Sequence, residues 1–169
     1  NRGTGGRGEE FKKMTYLQLG KLETQDQIAA AKFFGQQSYI DPARIGIFGW
    51  SYGGYMSCYA LTYGSDVFTH GMAGGSVTSW DLYDSAYTER YMDHPKDNAD
   101  GYARSSVFAH LDGMTSDLFL IHGMADDNVL FTNSTALFKR LQDLDRPFEV
   151  MPYPGGKHGL LRHADMGPH

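Results

Sequence analysis

Cysteine is nearly missing from this sequence: of 169 residues only Cys58 is one. That excludes an intrachain disulfide framework and any paired-cysteine metal or redox site, and leaves the compartment open. No run of lysine or arginine interrupts a formal net charge of -5, so the electrostatic footprint of a nucleic-acid binder is missing. No stretch approaches the roughly 18 consecutive apolar residues of a membrane-spanning helix. Internal repeats and low-complexity tracts are absent too. The opening Asn1-Arg2-Gly3-Thr4-Gly5-Gly6 has the form of neither a signal peptide nor an amphipathic leader, and it reads as the interior of a longer chain.

What remains is an ordinary globular composition, 41% apolar, enough to build a sizeable core. Glu9–Leu19 and Leu22–Phe34 are expected helices, the second with Ile28, Ala31 and Phe34 near helical spacing. After the break at Asp41-Pro42, Arg44–Phe48 has the apolar, β-rich character of a buried parallel strand. Tyr55–Tyr63 reads as helix and His70–Gly74 as a weak, glycine-thinned strand. Leu118–Ile121 is the clearest strand. Leu137, Leu141 and Leu144 mark one face of a helix, and Phe148–Met151 forms a further strand. Strands alternating with helices predict a parallel sheet. Ser76–His110 shows no clean period, and a connection of that length usually lines a site.

Gly49-Trp50-Ser51-Tyr52-Gly53 matches G-x-S-x-G between an expected strand and an expected helix, the context in which that pattern carries chemistry. A serine on so sharp a turn sits in strained backbone, and small residues two positions away on either side let the turn close. The bland alternative is a glycine-rich turn with an incidental serine. A hydroxyl becomes a nucleophile only beside a base, and the base needs a partner that fixes its tautomer. The order serine, acid, histidine has candidates in place: Asp126 and Asp127 follow the Leu118–Ile121 strand, and His158 follows the last strand. His122 is the nearest rival base, but at the end of a buried strand its ring is expected to bond to backbone. His70, His94, His110, His163 and His169 read as structural or solvated. His158 and His163 lie five apart without cysteine partners, which argues against a metal site. The glycines of Asn1–Gly8 invite a phosphate-loop reading, but no G-K-[ST] follows them.

Gly49–Tyr55, Tyr83–Met92 and His122–Val129, taken with Arg2–Gly5 and Lys157-His158-Gly159, resemble the dipeptidyl-peptidase branch of the prolyl oligopeptidase family. The resemblance implies a partial α/β-hydrolase fold, a parallel sheet with helices on both faces. Residues 1–169 would be part of the catalytic domain, with upstream strands, a final helix and a β-propeller outside them. It implies a serine exopeptidase that removes X-Pro, or less readily X-Ala, dipeptides through an acyl-enzyme, without cofactor or metal. Carried over residue by residue, Ser51 is the nucleophile, Asp126 the orienting acid and His158 the base. The Tyr52 N–H belongs to the oxyanion hole. Val77, Trp80, Tyr83, Tyr87 and Val129, with Tyr52, line the pocket for a proline at P1, and Asn128 bonds the P2 carbonyl. The family's second oxyanion donor, a tyrosine hydroxyl, and the propeller glutamates that bind the substrate's free amine are not in these residues. The resemblance also points to a periplasmic or cell-surface location, to a homodimer formed through the parent protein, and to no membrane contact from this segment.

Other readings share these residues. A tripeptidyl, acylaminoacyl or endo-acting relative would carry the same triad. A non-catalytic homologue acting as a binding partner would be expected to have lost the serine. A lipase or esterase of the same fold fits a compact aromatic pocket less well than an imino-acid ring does. The aromatic residues could also be simple core beneath a long loop.

Overall fold

The computed structural model describes residues 1–160 and Met166; His163 and His169 lie outside the described residues. The apolar run after Arg44 forms β1 (Gly46–Trp50), which ends at Ser51, and α3 (Tyr52–Tyr63) starts at the next residue. β2 (His70–Gly74), β3 (Asp117–Gly123) and β4 (Glu149–Tyr153) complete a sheet of order β1-β2-β3-β4 with every pairing parallel. This is part of an α/β-hydrolase fold.

The strands follow one another in a single direction across the sheet, so right-handed crossovers place their connections on one face. There α3 packs on β1 and β2, and α6 (Thr132–Asp143) follows β3. Register pairs Gly71 with Leu118 and Ala73 with Leu120 on this face. A side chain at Gly71 would come within 2.3 Å of Leu61 on α3, so the glycine that weakens β2 as a strand signal is what lets the helix settle on it. Leu61, Leu137 and Leu141 are fully buried. Burial pushes the Cys58 thiol up to about 12, which leaves it unreactive. On the opposite face Phe48 is 69% exposed and Met72 and Met151 each 39%. The second helical layer expected from the resemblance is not supplied by the described residues.

Two segments differ from expectation. The first helix, α1, covers only Glu9–Lys13. The chain then turns through Leu17 at φ 63° and Gly20 at φ 89°, outside the helical region, and the Leu17 N–H donates to the Tyr91 carbonyl at 2.8 Å. α2 (Lys21–Phe34) follows and lies against α3. Its Asp26 grips Arg2 through Nη2 at 2.7 Å and Nε at 3.0 Å, which ties the glycine-rich opening to the domain. The stretch Ser76–His110 is also far from loop. It holds α4 (Ser85–Met92), α5 (Ala99–Ser105) and 3-10 turns at Trp80–Leu82 and Val107–Gly113. Asp84 caps α4 by accepting the Tyr87 N–H at 2.8 Å.

Candidate active site

The site assembles at the carboxyl ends of the strands, where open α/β sheets place their ligands. Ser51 has φ 60° and ψ -117°, a conformation that costs a non-glycine residue of order 1–3 kcal/mol. Its N–H donates to the Gly74 carbonyl at 2.8 Å, which fixes the turn against β2. A side chain at Gly49 would sit 2.2 Å from the Gly53 carbonyl oxygen, and one at Gly54 would sit 2.4 Å from Ser76 Oγ. At Gly53 a Cβ would meet nothing within 4 Å. The steric demand of the turn therefore falls on Gly49 and Gly54; the second glycine of the pattern is not needed for closure. Tyr52 opens α3, where an N–H has no carbonyl four residues back to serve.

The acid and histidine loops are stitched together. The Met124 N–H donates to Tyr153 O and the Ala125 N–H to Gly156 O, each at 2.9 Å. A side chain at Gly123 would lie 2.3 Å from the Gly156 oxygen, so glycine there permits the close stacking. As a result His158 Nε2 lies 2.9 Å from Ser51 Oγ, and His158 Nδ1 lies 2.8 Å from Asp126 Oδ2. Asp126 is buried, and its Oδ1 accepts the N–H groups of Asn128 at 2.9 Å and Val129 at 3.0 Å. Asp127 is exposed and pairs with Lys157 Nζ at 2.9 Å; that hydrogen bond holds its carboxyl below the usual range.

The aromatic residues are brought together as well. Tyr52 and Trp80 have ring centroids 5.6 Å apart, Trp80 stacks on Tyr87 at 6.0 Å, and Tyr83 meets Tyr87 edge-on at 5.2 Å. Trp80, Val77 and Val129 are buried, while Tyr52, Tyr83 and Tyr87 are partly exposed. The Asn133 side chain holds this loop to α6 by accepting the Thr78 N–H at 2.9 Å. Asn128 is exposed, and its Oδ1 accepts the Tyr83 hydroxyl at 2.6 Å, so its amide N–H groups are the ones left to meet a carbonyl. Among the described residues no cluster of three His, Cys, Asp or Glu could hold a metal ion.

The sequence profile of the prolyl oligopeptidase family matches residues 1–168. The chain belongs to that family. It is 42% identical over 166 residues to "Dipeptidyl aminopeptidase B" of Saccharomyces cerevisiae, covering 96% of this chain and 20% of that protein. It is 43% identical over 162 residues to the human "Prolyl endopeptidase FAP", covering 94% and 21%. The crystal structure of Porphyromonas gingivalis dipeptidyl peptidase 4 superposes with a TM-score of 0.96 at 44% identity, over 99% of this chain and 24% of that one. The chain thus spans about a fifth of the length of these curated family members.

Three residues around this site were not singled out as functional from sequence. Trp50 Nε1 donates to the His158 carbonyl at 3.0 Å and so pins the histidine loop to the end of β1. Glu23, buried on α2, accepts the Tyr52 hydroxyl at 2.6 Å through Oε1; nothing but an unexplained acid in an otherwise mixed helix could have flagged it. His122 keeps the backbone bond expected of it, 2.9 Å to Val129 O, but also lies 3.2 Å from Asp126 Oδ2 and 2.7 Å from Ser134 Oγ. A cavity of about 510 Å³ opens beside Tyr52, Glu23 and Tyr87, with Arg2 and Thr4 across it. Its walls include neither Ser51 nor His158.

Proposed function

We propose that this chain is the catalytic part of a serine peptidase that releases X-Pro, or less readily X-Ala, dipeptides from the N-terminus of peptides. The observation that carries the reading is the hydrogen-bonded chain from Ser51 through His158 to buried Asp126 at the carboxyl edge of the sheet, with the ring cluster of Tyr52, Trp80, Tyr83 and Tyr87 starting at the residue after Ser51. In this reading Ser51 Oγ attacks the carbonyl carbon of the P1 residue while His158 Nε2 takes its proton. Asp126 holds the Nδ1–H tautomer and stabilises the imidazolium. The Tyr52 N–H donates to the oxygen that becomes negative in the tetrahedral intermediate. His158 then returns the proton to the leaving amine, the acyl-enzyme forms, and water reverses the steps.

Proline suits the pocket because its ring is apolar and already fixed near φ of about -65°, so little freedom is lost on binding. The faces of Tyr52, Tyr83 and Tyr87 are its walls, and Trp80, Val77 and Val129 back them. The Asn128 amide donates to the P2 carbonyl. A homodimer and the amine-binding residues belong, in this reading, to the longer parent protein. An endo-acting variant is the second reading, and the 43% identity to a protein named as a prolyl endopeptidase favours it.

The test uses the full-length protein and one peptide carrying X-Pro at its N-terminus, with a free or an acetylated amine. Mass spectrometry should find the dipeptide released from the free form alone. Cleavage of the acetylated form after proline would favour the endo-acting reading, and no cleavage of either would sink the peptidase assignment.

A further inference from the structure

We propose that His122 is a positioning residue for the Ser51–His158–Asp126 chain, a buried imidazole whose Nε2–H fixes the carboxylate oxygen that His158 also uses. The inference rests on the triad reading above and assigns a further member to it. Asp126 Oδ2 has two histidines on it: His158 Nδ1 at 2.8 Å and His122 Nε2 at 3.2 Å. The same Nε2 lies 2.9 Å from the Val129 carbonyl. A carbonyl oxygen can only accept, so Nε2 carries the hydrogen and shares it between Val129 O and Asp126 Oδ2.

The other ring nitrogen settles the tautomer. His122 Nδ1 lies 2.7 Å from Ser134 Oγ on α6, and the ring has no exposed surface. Burial holds the imidazole below its usual range, so the neutral ring presents a lone pair at Nδ1 and the Ser134 hydroxyl donates to it. Both nitrogens are committed, and His122 is unfit to act as a base on substrate. What it can do is hold Asp126. With the Asn128 and Val129 amides on Oδ1, each carboxylate oxygen receives two donors, which leaves the group no free rotation. The ionisable groups facing this carboxylate are His122 from β3 and His158 from the loop after β4. Tyr83 acts on it from the aromatic loop, and Asp127 and Lys157 flank His158.

Two consequences follow. Without the His122 donor the carboxylate turns more freely and His158 loses its aim at Ser51, which lowers turnover more than substrate binding. Asp126 also keeps more negative charge for His158, which raises the basicity of that imidazole. The acidic limb of the kcat/KM profile should then move to higher pH, a change that a merely structural histidine would not cause.

The experiment compares His122→Gln and His122→Asn in the full-length protein with a Gly-Pro anilide. A glutamine amide nitrogen falls near imidazole Nε2 and keeps the donor to Asp126; an asparagine amide nitrogen falls near Nδ1 and does not. His122→Asn should lower kcat by roughly tenfold to a hundredfold with KM within about threefold, as for a small misplacement of a reacting group. Its acidic limb should rise by about half a pH unit. His122→Gln should return kcat to within roughly threefold of wild type and restore the limb. A His122→Asn variant with wild-type kcat and limb would overturn the proposal, as would a folded His122→Gln variant as impaired as His122→Asn. Should His122→Asn fail to fold, Ser134→Ala serves, since it frees Nδ1 while keeping the ring. It should lower kcat in the same direction, and an unchanged kcat and limb would overturn the proposal. Ser51→Ala in the same assay separates the two levels: if it retains turnover, the triad reading falls and this inference with it. If it is inactive while His122→Asn behaves as wild type, only the inference falls.

Discussion

Replacing Asp126 with asparagine changes one oxygen for an amide nitrogen at a carboxylate that accepts four hydrogen bonds. The amide oxygen can still serve the Asn128 and Val129 N–H groups. Its NH2 must then face His122 and His158, both of which now donate. His158 relieves the clash by moving its hydrogen to Nε2, and in that tautomer it cannot take the proton of Ser51. A triad that loses tautomer control slows by about 10,000-fold, ~5.5 kcal/mol of transition-state stabilisation. The neighbouring Asp127 is the internal control. It is exposed and, among the described side chains, bonded to Lys157 alone, so Asp127→Asn should stay within roughly threefold of wild type. The assay is kcat/KM on an X-Pro anilide with the full-length variants, each checked for wild-type thermal midpoint. An Asp127→Asn variant at least as damaged as Asp126→Asn would refute the assignment.

Tyr83→Ala opens one wall of the proposed P1 pocket and frees Asn128 Oδ1; it should reduce kcat/KM for P1 proline by roughly 1–3 kcal/mol of transition-state binding while larger P1 residues lose less. Equal losses for proline and phenylalanine at P1 would place Tyr83 in the fold alone. Glu23→Ala strips the half-buried Tyr52 hydroxyl of its acceptor and should destabilise the fold by about 1–3 kcal/mol in chemical denaturation, with Glu23→Gln less affected because it keeps an oxygen. Equal effects of the two changes would show that the bond is not what matters. Because burial depresses His122 in the folded state, the unfolded chain binds a proton that the folded one refuses. Stability should therefore fall as pH drops below about 6.5, and the loss of thermal midpoint between roughly pH 7.5 and pH 5.5 should be larger for wild type than for His122→Gln.

The parts of the fold that were legible in the sequence are those with one dominant signal. β3 reads as a strand because Leu118-Phe119-Leu120-Ile121 is continuous and apolar, and α6 because Leu137 and Leu141 repeat at helical spacing. β2 was faint because Gly71 and Gly74 are set by Leu61 and Trp50, residues far away in the chain. α4 was missed because Tyr83 and Tyr87 read as pocket aromatics, although Asp84 before a segment with Tyr87, Thr88, Tyr91 and Met92 was a usable cap-and-face signal. Ser51, Asp126 and His158 were nameable from motifs, and the structure brings them into one hydrogen-bonded chain. Glu23 and Trp50 act through contacts distant in the chain, which no spacing announces; His122 was legible for its backbone bond but not for its contact with Asp126. The glycine pattern was misread in one respect: Gly54, outside G-x-S-x-G, carries the steric constraint assigned to Gly53.

The central claim is that Ser51 is the nucleophile, activated through His158 and Asp126. It is tested most directly by treating the full-length protein with a fluorophosphonate, then digesting it and locating the adduct by mass spectrometry. The account predicts a single adduct on Ser51, loss of peptidase activity in proportion to labelling, and neither labelling nor turnover in Ser51→Ala. An adduct on another residue, or a Ser51→Ala variant that keeps a tenth of wild-type turnover, would contradict it.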